Sequence, residues 1–417
     1  MRAARRGKTL VCFMYAPERR LRNPVAIKND LQMRCLWLLA LFSVACSSSG
    51  SIGGADKCAE PTDNSGSWSG LALPPSGVGA VTPAFAWTGE ELIVWGGAGL
   101  HTETGSCTPC NGGGIYEPKS NSWRAMSDSG APAPRDWTAG VWAGDRFVTW
   151  GGLSGTPHQH LSADETGGIY DMSLDAWQSV STKDQPQWRW QHALVWTGRE
   201  VLVWGGANVD NVHLCDGGKF DPVQNVWNSM SLDGAPLGCL QPATAWTGKE
   251  LIVWGGGIAQ ADGSVTNTGA AYNPEADTWR PISNVGAPTA RHSPAVVWTG
   301  QEMIVYGGNA GVDARAYDPI ADHWRPLNLR GNPGLHTRGD AVWTGSEMIL
   351  WGRSDCDVGG RYDLANDTWQ TFNSKGVLEA RRNQAAIWTG DAMLIYGGIV
   401  GIDIADHETN SGALYTP

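Results

Sequence analysis

Neither a Gly-x-Ser-x-Gly nor a His-Glu-x-x-His motif occurs in this 417-residue chain, which removes the serine nucleophile elbow and the zincin metal pair from consideration. The apolar run at residues 36–45 has ten residues, too few to cross a bilayer as a helix. Basic residues are scarce beyond the start. Nine of the 30 Lys and Arg precede residue 35, so the remainder carries 21 basic against 39 acidic side chains, a formal charge of -18. A body this acidic has no surface for phosphates, and nucleic acid is excluded as a partner. Asp and Glu are in turn so plentiful that no acid-base pair stands out.

Glycine and tryptophan are abundant, at 55 and 23 residues, and the tryptophans are periodic. Trp-Thr-Gly or a near copy opens at Trp87, Trp142, Trp196, Trp246, Trp298, Trp343 and Trp388, at intervals of 55, 54, 50, 52, 45 and 45 residues. One supersecondary unit is therefore repeated. Each unit reads as an apolar run, Trp-Thr-Gly, a second run ending in Gly-Gly, a variable loop, an aromatic, a turn and another Trp. Runs of four to seven Val, Ile, Leu and aromatic residues bounded by Gly, Pro, Asn or Asp predict strands. The order predicts an all-β fold, a seven-bladed β-propeller of four-stranded antiparallel blades. The strands of a blade are called a to d in chain order.

These features resemble the kelch repeat. The residues that carry the likeness are the double glycines 96/97, 151/152, 205/206, 255/256, 307/308 and 397/398, and the strand-c aromatics Tyr116, Tyr170, Phe220, Tyr272, Tyr317, Tyr362 and Tyr415. The strand-d tryptophans complete it. Gly352-Arg353 departs from the double glycine and leaves the turn of the sixth blade open. The likeness covers nearly everything after residue 60 and specifies fold far better than function.

The last unit stops at Tyr415-Thr416-Pro417, after a third strand. Residues 63–68 with Leu71 reproduce the missing fourth, so an N-terminal strand is expected to pair with the C-terminal blade and close the ring. The chain divides accordingly into a leader at 1–45, a Cys and flexible Ser/Gly linker at 46–58, and the propeller at 59–417. Met14 and Met33 are alternative starts. The leader reads as an exported protein's signal, and Ser43-Val44-Ala45-Cys46 resembles the lipobox of bacterial lipoproteins, with Ser43 where that family usually has Leu. The likeness implies lipidation of Cys46 and a place in the bacterial cell envelope, on the periplasmic or surface side of the outer membrane; ordinary cleavage near Ala45 would give a secreted protein. Membrane contact is expected through the anchor only, and the ring is expected to be a monomer.

Export makes Cys58, Cys107, Cys110, Cys215, Cys239 and Cys356 candidates for disulfides, with 15 connectivities open. Blade topology places Cys215 and Cys239 on one face in adjacent blades, which favours that pair, then Cys107 with Cys110, then Cys58 with Cys356. No metal site is expected. Cys107 and Cys110 have only His101 nearby, and His158 with His160 lack a third ligand.

Function is sought on the face that carries the b-c loops and d-a connections. Seven residues before each Trp-Thr-Gly stand Ala80, Arg135, Arg189, Cys239, Arg291, His336 and Arg381. Four guanidinium groups around one channel mouth would hold a carboxylate or sulfate; the structural alternative is pairing within the repeat. Trp137, Trp188 and Trp190 occupy no repeat position and lie beside Arg135, Arg189 and His192. The expected ligand-binding set is Arg135, Trp137, Arg189, Trp190, His192, Arg291, His292, His336 and Arg381, with no catalytic residue. The expected function is noncatalytic capture of a protein, peptide or acidic glycan. Kelch-like galactose oxidases use copper held by Tyr and His, but every tyrosine after the leader fills a repeat position, so no cofactor is expected. A mutarotase-like or lyase-like activity of Arg135, Arg189, Arg291, His192 and His292 is the alternative.

Overall fold

The computed structural model describes residues 60–63, 65–99, 110–154, 167–259, 263–334, 340–352, 356–401 and 407–417. They contain strands and turns and no helix. By internal contacts the chain divides into Met1–Asp56 and Lys57–Pro417. The leader, Cys46, Cys58, Cys107, His158, His160, His336 and Arg353 lie outside the described residues.

Seven four-stranded antiparallel sheets form the body, six of them continuous in sequence. The first runs Ala84–Trp87, Leu92–Trp95, Gly113–Glu117, Ser122–Ala125. The sixth is complete despite the departure at Gly352: Asp340–Trp343, Glu347–Trp351, Val358–Asp363, Thr368–Asn373. The seventh is composite. Ser67–Gly70 pairs with Gly412–Thr416, which pairs with Met393–Tyr396 and then Ala385–Trp388. Trp68 stands opposite Tyr415 in that register, so the first strand of the described chain completes the last sheet.

Local chemistry explains the hairpins. In the first blade, Gly89 turns with φ 103° while the Thr88 hydroxyl accepts the Glu91 N–H at 2.9 Å, and the Thr88 N–H donates to the Glu91 carbonyl at 3.0 Å. Strand b is buried on both faces in the first, third, fourth, fifth and seventh blades, which is why its sequence there is an unbroken apolar run.

The strand-d tryptophan joins the blades. Each one packs against its own blade's strand-c aromatic, as Tyr116–Trp123 (5.2 Å between ring centroids), Phe220–Trp227 (4.9 Å) and Tyr415–Trp68 (4.9 Å) show. Each also packs against the aromatic that ends strand b of the preceding blade: Trp95–Trp177, Trp150–Trp227, Trp204–Trp279, Trp254–Trp324, Tyr306–Trp369, Trp351–Trp68 and Tyr396–Trp123, at 4.7–5.6 Å. The indole N–H donates to the carbonyl that follows the preceding blade's strand d. The partners run Trp68 to Asn373, Trp123 to Ala72, Trp177 to Ser127, Trp227 to Ser181, Trp279 to Ser231, Trp324 to Ser283 and Trp369 to Asn328, all at 2.8–2.9 Å. The joint supplied by Trp68 has the same kinds of contact as those of the other strand-d tryptophans.

A second device ties the outer rim. The last residue of each c-d turn is an Asn or Asp at positive φ: Asn121, Asp175, Asn225, Asp277, Asp322 and Asp367, at 46–55°. Its side chain accepts a backbone N–H from the preceding blade, as Asp175 does from Ser127 (2.8 Å) and Asp322 from Ser283 (2.7 Å). Tyr170, Tyr272, Tyr317 and Tyr362 donate their hydroxyls to the carboxylates of their own turns. The Tyr170 hydroxyl is the main cause that lowers the Asp175 pKa. For Asp277 and Asp322 burial is the largest single influence and works upward, yet the tyrosine, the serine N–H and a neighbouring Lys219 or Arg280 together outweigh it. A carboxyl whose folded pKa lies below its unfolded value contributes stability above the unfolded value, and loses it as pH falls through the folded one. The melting temperature is therefore expected to hold level down to about pH 5 and to drop below about pH 4. Circular dichroism melts across that range would show it, and a melt at pH 3 equal to that at pH 7 would contradict it.

Candidate functional site

Strand a of each blade is entered through a short d-a connection, and the same position of that connection adopts a left-handed backbone in six blades. These residues are Thr82, Trp137, Gln191, Gln241, Ser293 and Asn383, with φ between 49° and 58°. Each lies five residues before its Trp-Thr-Gly tryptophan. Polar or aromatic side chains hold this conformation at a cost, and such positions recur at ligand sites. Together they form the rim of a cavity of about 390 Å³ at the channel mouth.

Directly after them come Pro83, Thr138, His192, Pro242, Pro294 and Gln384, and Phe85, Ala139, Ala193, Thr244 and Ala385 complete the wall. The rim residues are linked across blades. The Trp137 N–H donates to the Thr82 hydroxyl at 3.2 Å, the Ser293 N–H to the Gln241 carbonyl at 2.9 Å, and the Ser293 hydroxyl to Gln241 Oε1 at 2.6 Å. Trp137 stands edge-on to Trp190, with ring centroids 5.6 Å apart. Among the described residues, no Asp, Glu, Lys or Arg lines the cavity. Asp136, next to the rim, is pushed up to about 6 by burial first and then by the charge of Glu408.

Two wall residues keep hydrogen-bonding capacity while buried. Gln384 donates Nε2 to the Trp351 carbonyl at 3.0 Å, and its Oε1 has no partner. His192 is 8% exposed and its ring nitrogens make no hydrogen bond of ordinary geometry. Burial first, and then the charge of Arg189, push its pKa down to about 3, against a small upward effect of the Trp150 backbone. Its protonated form is thereby disfavoured.

The four expected arginines are corrected. Arg135, Arg189, Arg291 and Arg381 are 0–1% exposed and do not line the mouth. Each donates Nε to the carbonyl two residues earlier, at 2.8–3.0 Å. Each also donates NH1 to the carbonyl of the first glycine of its own blade's Gly-Gly pair: Gly151 (3.4 Å), Gly205 (3.1 Å), Gly307 (2.5 Å) and Gly397 (3.1 Å). Arg189 adds an ion pair to Asp216 at 2.7 Å, and Arg135 lies 4.8 Å over the ring of Trp188. The guanidinium is drawn inward because the end of strand b offers several carbonyls that no strand pairs, and a planar fork of five donors satisfies them at once.

The second glycine is held from the next blade. Gly97, Gly152, Gly206, Gly256 and Gly398 donate their N–H groups to the carbonyls of Arg135, Arg189, Cys239, Arg291 and Ala80, at 2.7–2.9 Å. Hence the double glycine: both residues have positive φ, and a Cβ on Gly205 would lie 2.1 Å from the Cys239 carbonyl oxygen. Blade four has no arginine at this slot. Cys239 occupies it, fully buried and disulfide-bonded to Cys215 of blade three, as the loop placement predicts. Cys110 and Cys356 are also disulfide-bonded.

The remaining sequence candidates separate. Trp137 and His192 line the mouth, and Trp190 supports Trp137 while its indole N–H donates to the Asn208 carbonyl at 3.1 Å. Trp188 donates to the Gly152 carbonyl at 2.7 Å and packs on Trp150, a structural place. His292 Nδ1 lies 2.9 Å from the Ser293 hydroxyl. That hydroxyl also donates to Gln241 Oε1 at 2.6 Å. His336 is outside the described residues. Thr82, Gln191, Gln241, Ser293, Asn383 and Gln384 were not singled out from the sequence. Their signal was a polar residue at a fixed offset from Trp-Thr-Gly, followed by Pro in three blades, and it is visible only once the repeat is aligned on that tryptophan.

Among known families, the KLHDC2/KLHL20/DRC7 Kelch-repeats domain matches the chain twice, over residues 82–308 and 192–398. None of the curated proteins matches it.

Proposed function

Since the chain belongs to the kelch-repeat family, whose repeats generally mediate protein-protein binding, we propose that it is a noncatalytic binding scaffold that captures a partner at the channel mouth. The observation that supports this most is the convergence of six blades' left-handed residues on one cavity. A strained rim on a rigid ring is a prearranged contact surface, which reduces the ordering cost of binding. Of the residues that a mutarotase-like or lyase-like reaction would call on, Arg135, Arg189, Arg291, His192 and His292, the three arginines donate to backbone carbonyls and burial disfavours the protonated form of His192. The leader and Cys46 add the second part of the reading, an exported ring tethered to the bacterial envelope by lipid.

A peptide and glycan array probed with the full chain tests the scaffold. Trp137→Asn keeps a residue suited to positive φ and removes the largest rim side chain. It is expected to weaken capture by about ten-fold or more, the cost of an interface aromatic, with the melting temperature nearly unchanged. Ile320→Ser, at the tip of an outer c-d turn and 94% exposed, serves as the control that leaves capture intact. Equal capture by Trp137→Asn and the parent chain would move the site away from the mouth. For the tether, incorporation of a labelled fatty acid is expected to vanish in Cys46→Ala, and label retained by that variant would refute it.

A further inference from the structure

Resting on the reading of the mouth as a binding site, we propose that the group it receives is an uncharged, hydroxyl-rich one, a neutral saccharide. The cavity of about 390 Å³ falls in the range of small-ligand sites, on the order of 300–1,000 Å³. Its polar lining is made of carboxamides and hydroxyls, of which Gln191, Gln241, Asn383 and Gln384 are the carboxamides. A carboxamide offers an acceptor and two donors on one plane, the set that two adjacent sugar hydroxyls, each both donor and acceptor, fit best. Trp137 supplies a flat aromatic surface on the rim for the C–H face of a pyranose.

Charge argues the same way by elimination. An anionic ligand would enter a body of formal charge -18 and find no guanidinium among the described residues of the wall, because all four candidate arginines are turned to backbone carbonyls. A cationic ligand would find no carboxylate among those same described residues. Burying either charge without a partner costs several kcal/mol. Inside the wall, Gln384 Oε1 and the ring of His192 are more than nine-tenths buried; the Gln384 oxygen has no partner, and the ring has none beyond the Trp150 backbone. A buried polar atom without a partner calls for one, and both residues stand in the lining of this cavity.

Glucose, galactose and N-acetylglucosamine are titrated into the full chain beside glucuronic and galacturonic acid and a capped, uncharged tripeptide. Tryptophan fluorescence and saturation transfer to the ligand protons are the readouts. At least one neutral sugar is expected to saturate, with affinity unchanged within about two-fold between low and high salt because no charge is engaged, and the acids are expected to bind at least about ten-fold more weakly. Trp137→Asn and Gln191→Asn are each expected to weaken the sugar by about ten-fold while the chain melts normally. Saturation by none of the three neutral sugars overturns the inference, as does a uronic acid that binds as tightly as its neutral counterpart and weakens with salt. The tripeptide separates the two readings: binding that Trp137→Asn abolishes, without any sugar binding, removes the saccharide and leaves the scaffold standing.

Discussion

Deleting residues 59–71 is expected to abolish the cooperative unfolding transition of the whole ring. The segment carries more than one strand's worth of pairing. Ser67–Gly70 supplies the outer strand of the seventh sheet, and Trp68 fills the joint between Trp351, Phe372 and Tyr415 while its indole donates to the Asn373 carbonyl. Upstream, the Thr62 and Asp63 N–H groups both reach the Thr371 carbonyl at 2.9 Å, and Asp63 pairs with Arg361 at 2.8 Å. Removal of one buried aromatic from such a core costs about 3–5 kcal/mol, comparable to much of the 5–15 kcal/mol that typically holds a domain folded. Here the loss also bares the edge of Gly412–Thr416 and the aromatic floor beneath it, an invitation to aggregate. Thermal and urea melts of the truncated chain should show a broad, low transition. A melt superimposable on that of the full chain would mean the ring does not depend on this seam.

Arg189→Met is expected to destabilise the ring by about 3–5 kcal/mol, as buried charged partners do when one is removed. The methionine fills much of the volume but leaves the carbonyls of Gln187, Gly205 and Asp216, and the Asp216 carboxylate, without the fork that serves them. Each orphaned buried carbonyl costs about 1–3 kcal/mol, and the partly exposed carboxylate adds less because water reaches it. Arg189→Lys should recover little, since one ammonium cannot span Nε, NH1 and NH2 positions at once. Chemical denaturation would read the effect. An Arg189→Met chain as stable as the parent, but deficient in ligand capture, would return this arginine to the binding site from which its burial removes it.

That second case shows where the sequence is legible and where it stops. The Trp-Thr-Gly spacing, the double glycines and the strand-c aromatics lead to the repeated four-stranded sheet, because period-two burial and turn chemistry are local. A fourth strand beside Gly412–Thr416 is readable for the same reason, residues 63–68 with Leu71 being a recognisable copy of another strand, and the strand that pairs there is Ser67–Gly70. Arg135, Arg189, Arg291 and Arg381 were legible as a repeated position but not as to direction. A charged side chain near a channel suggests solvent, and only the coordinates reveal the unpaired carbonyls of Gly151, Gly205, Gly307 and Gly397 that draw it inward. The rim was hidden differently. Thr82, Gln191, Gln241, Ser293 and Asn383 are chemically unremarkable, and what unites them is a backbone angle that no residue type announces.

The composite seventh sheet has a consequence for time. Six blades can form in order as the chain emerges, each made from neighbouring residues, but Trp68 must wait for Tyr415, its partner across the seam. Loop-closure entropy grows so slowly with length, about 0.6 kcal/mol per doubling, that this delay costs the finished ring little. It costs the nascent one exposure. Until the last strand is made, an arc of six blades carries two open edges and an unfilled aromatic socket, and a cell that makes this protein has to shelter that arc for as long as synthesis takes.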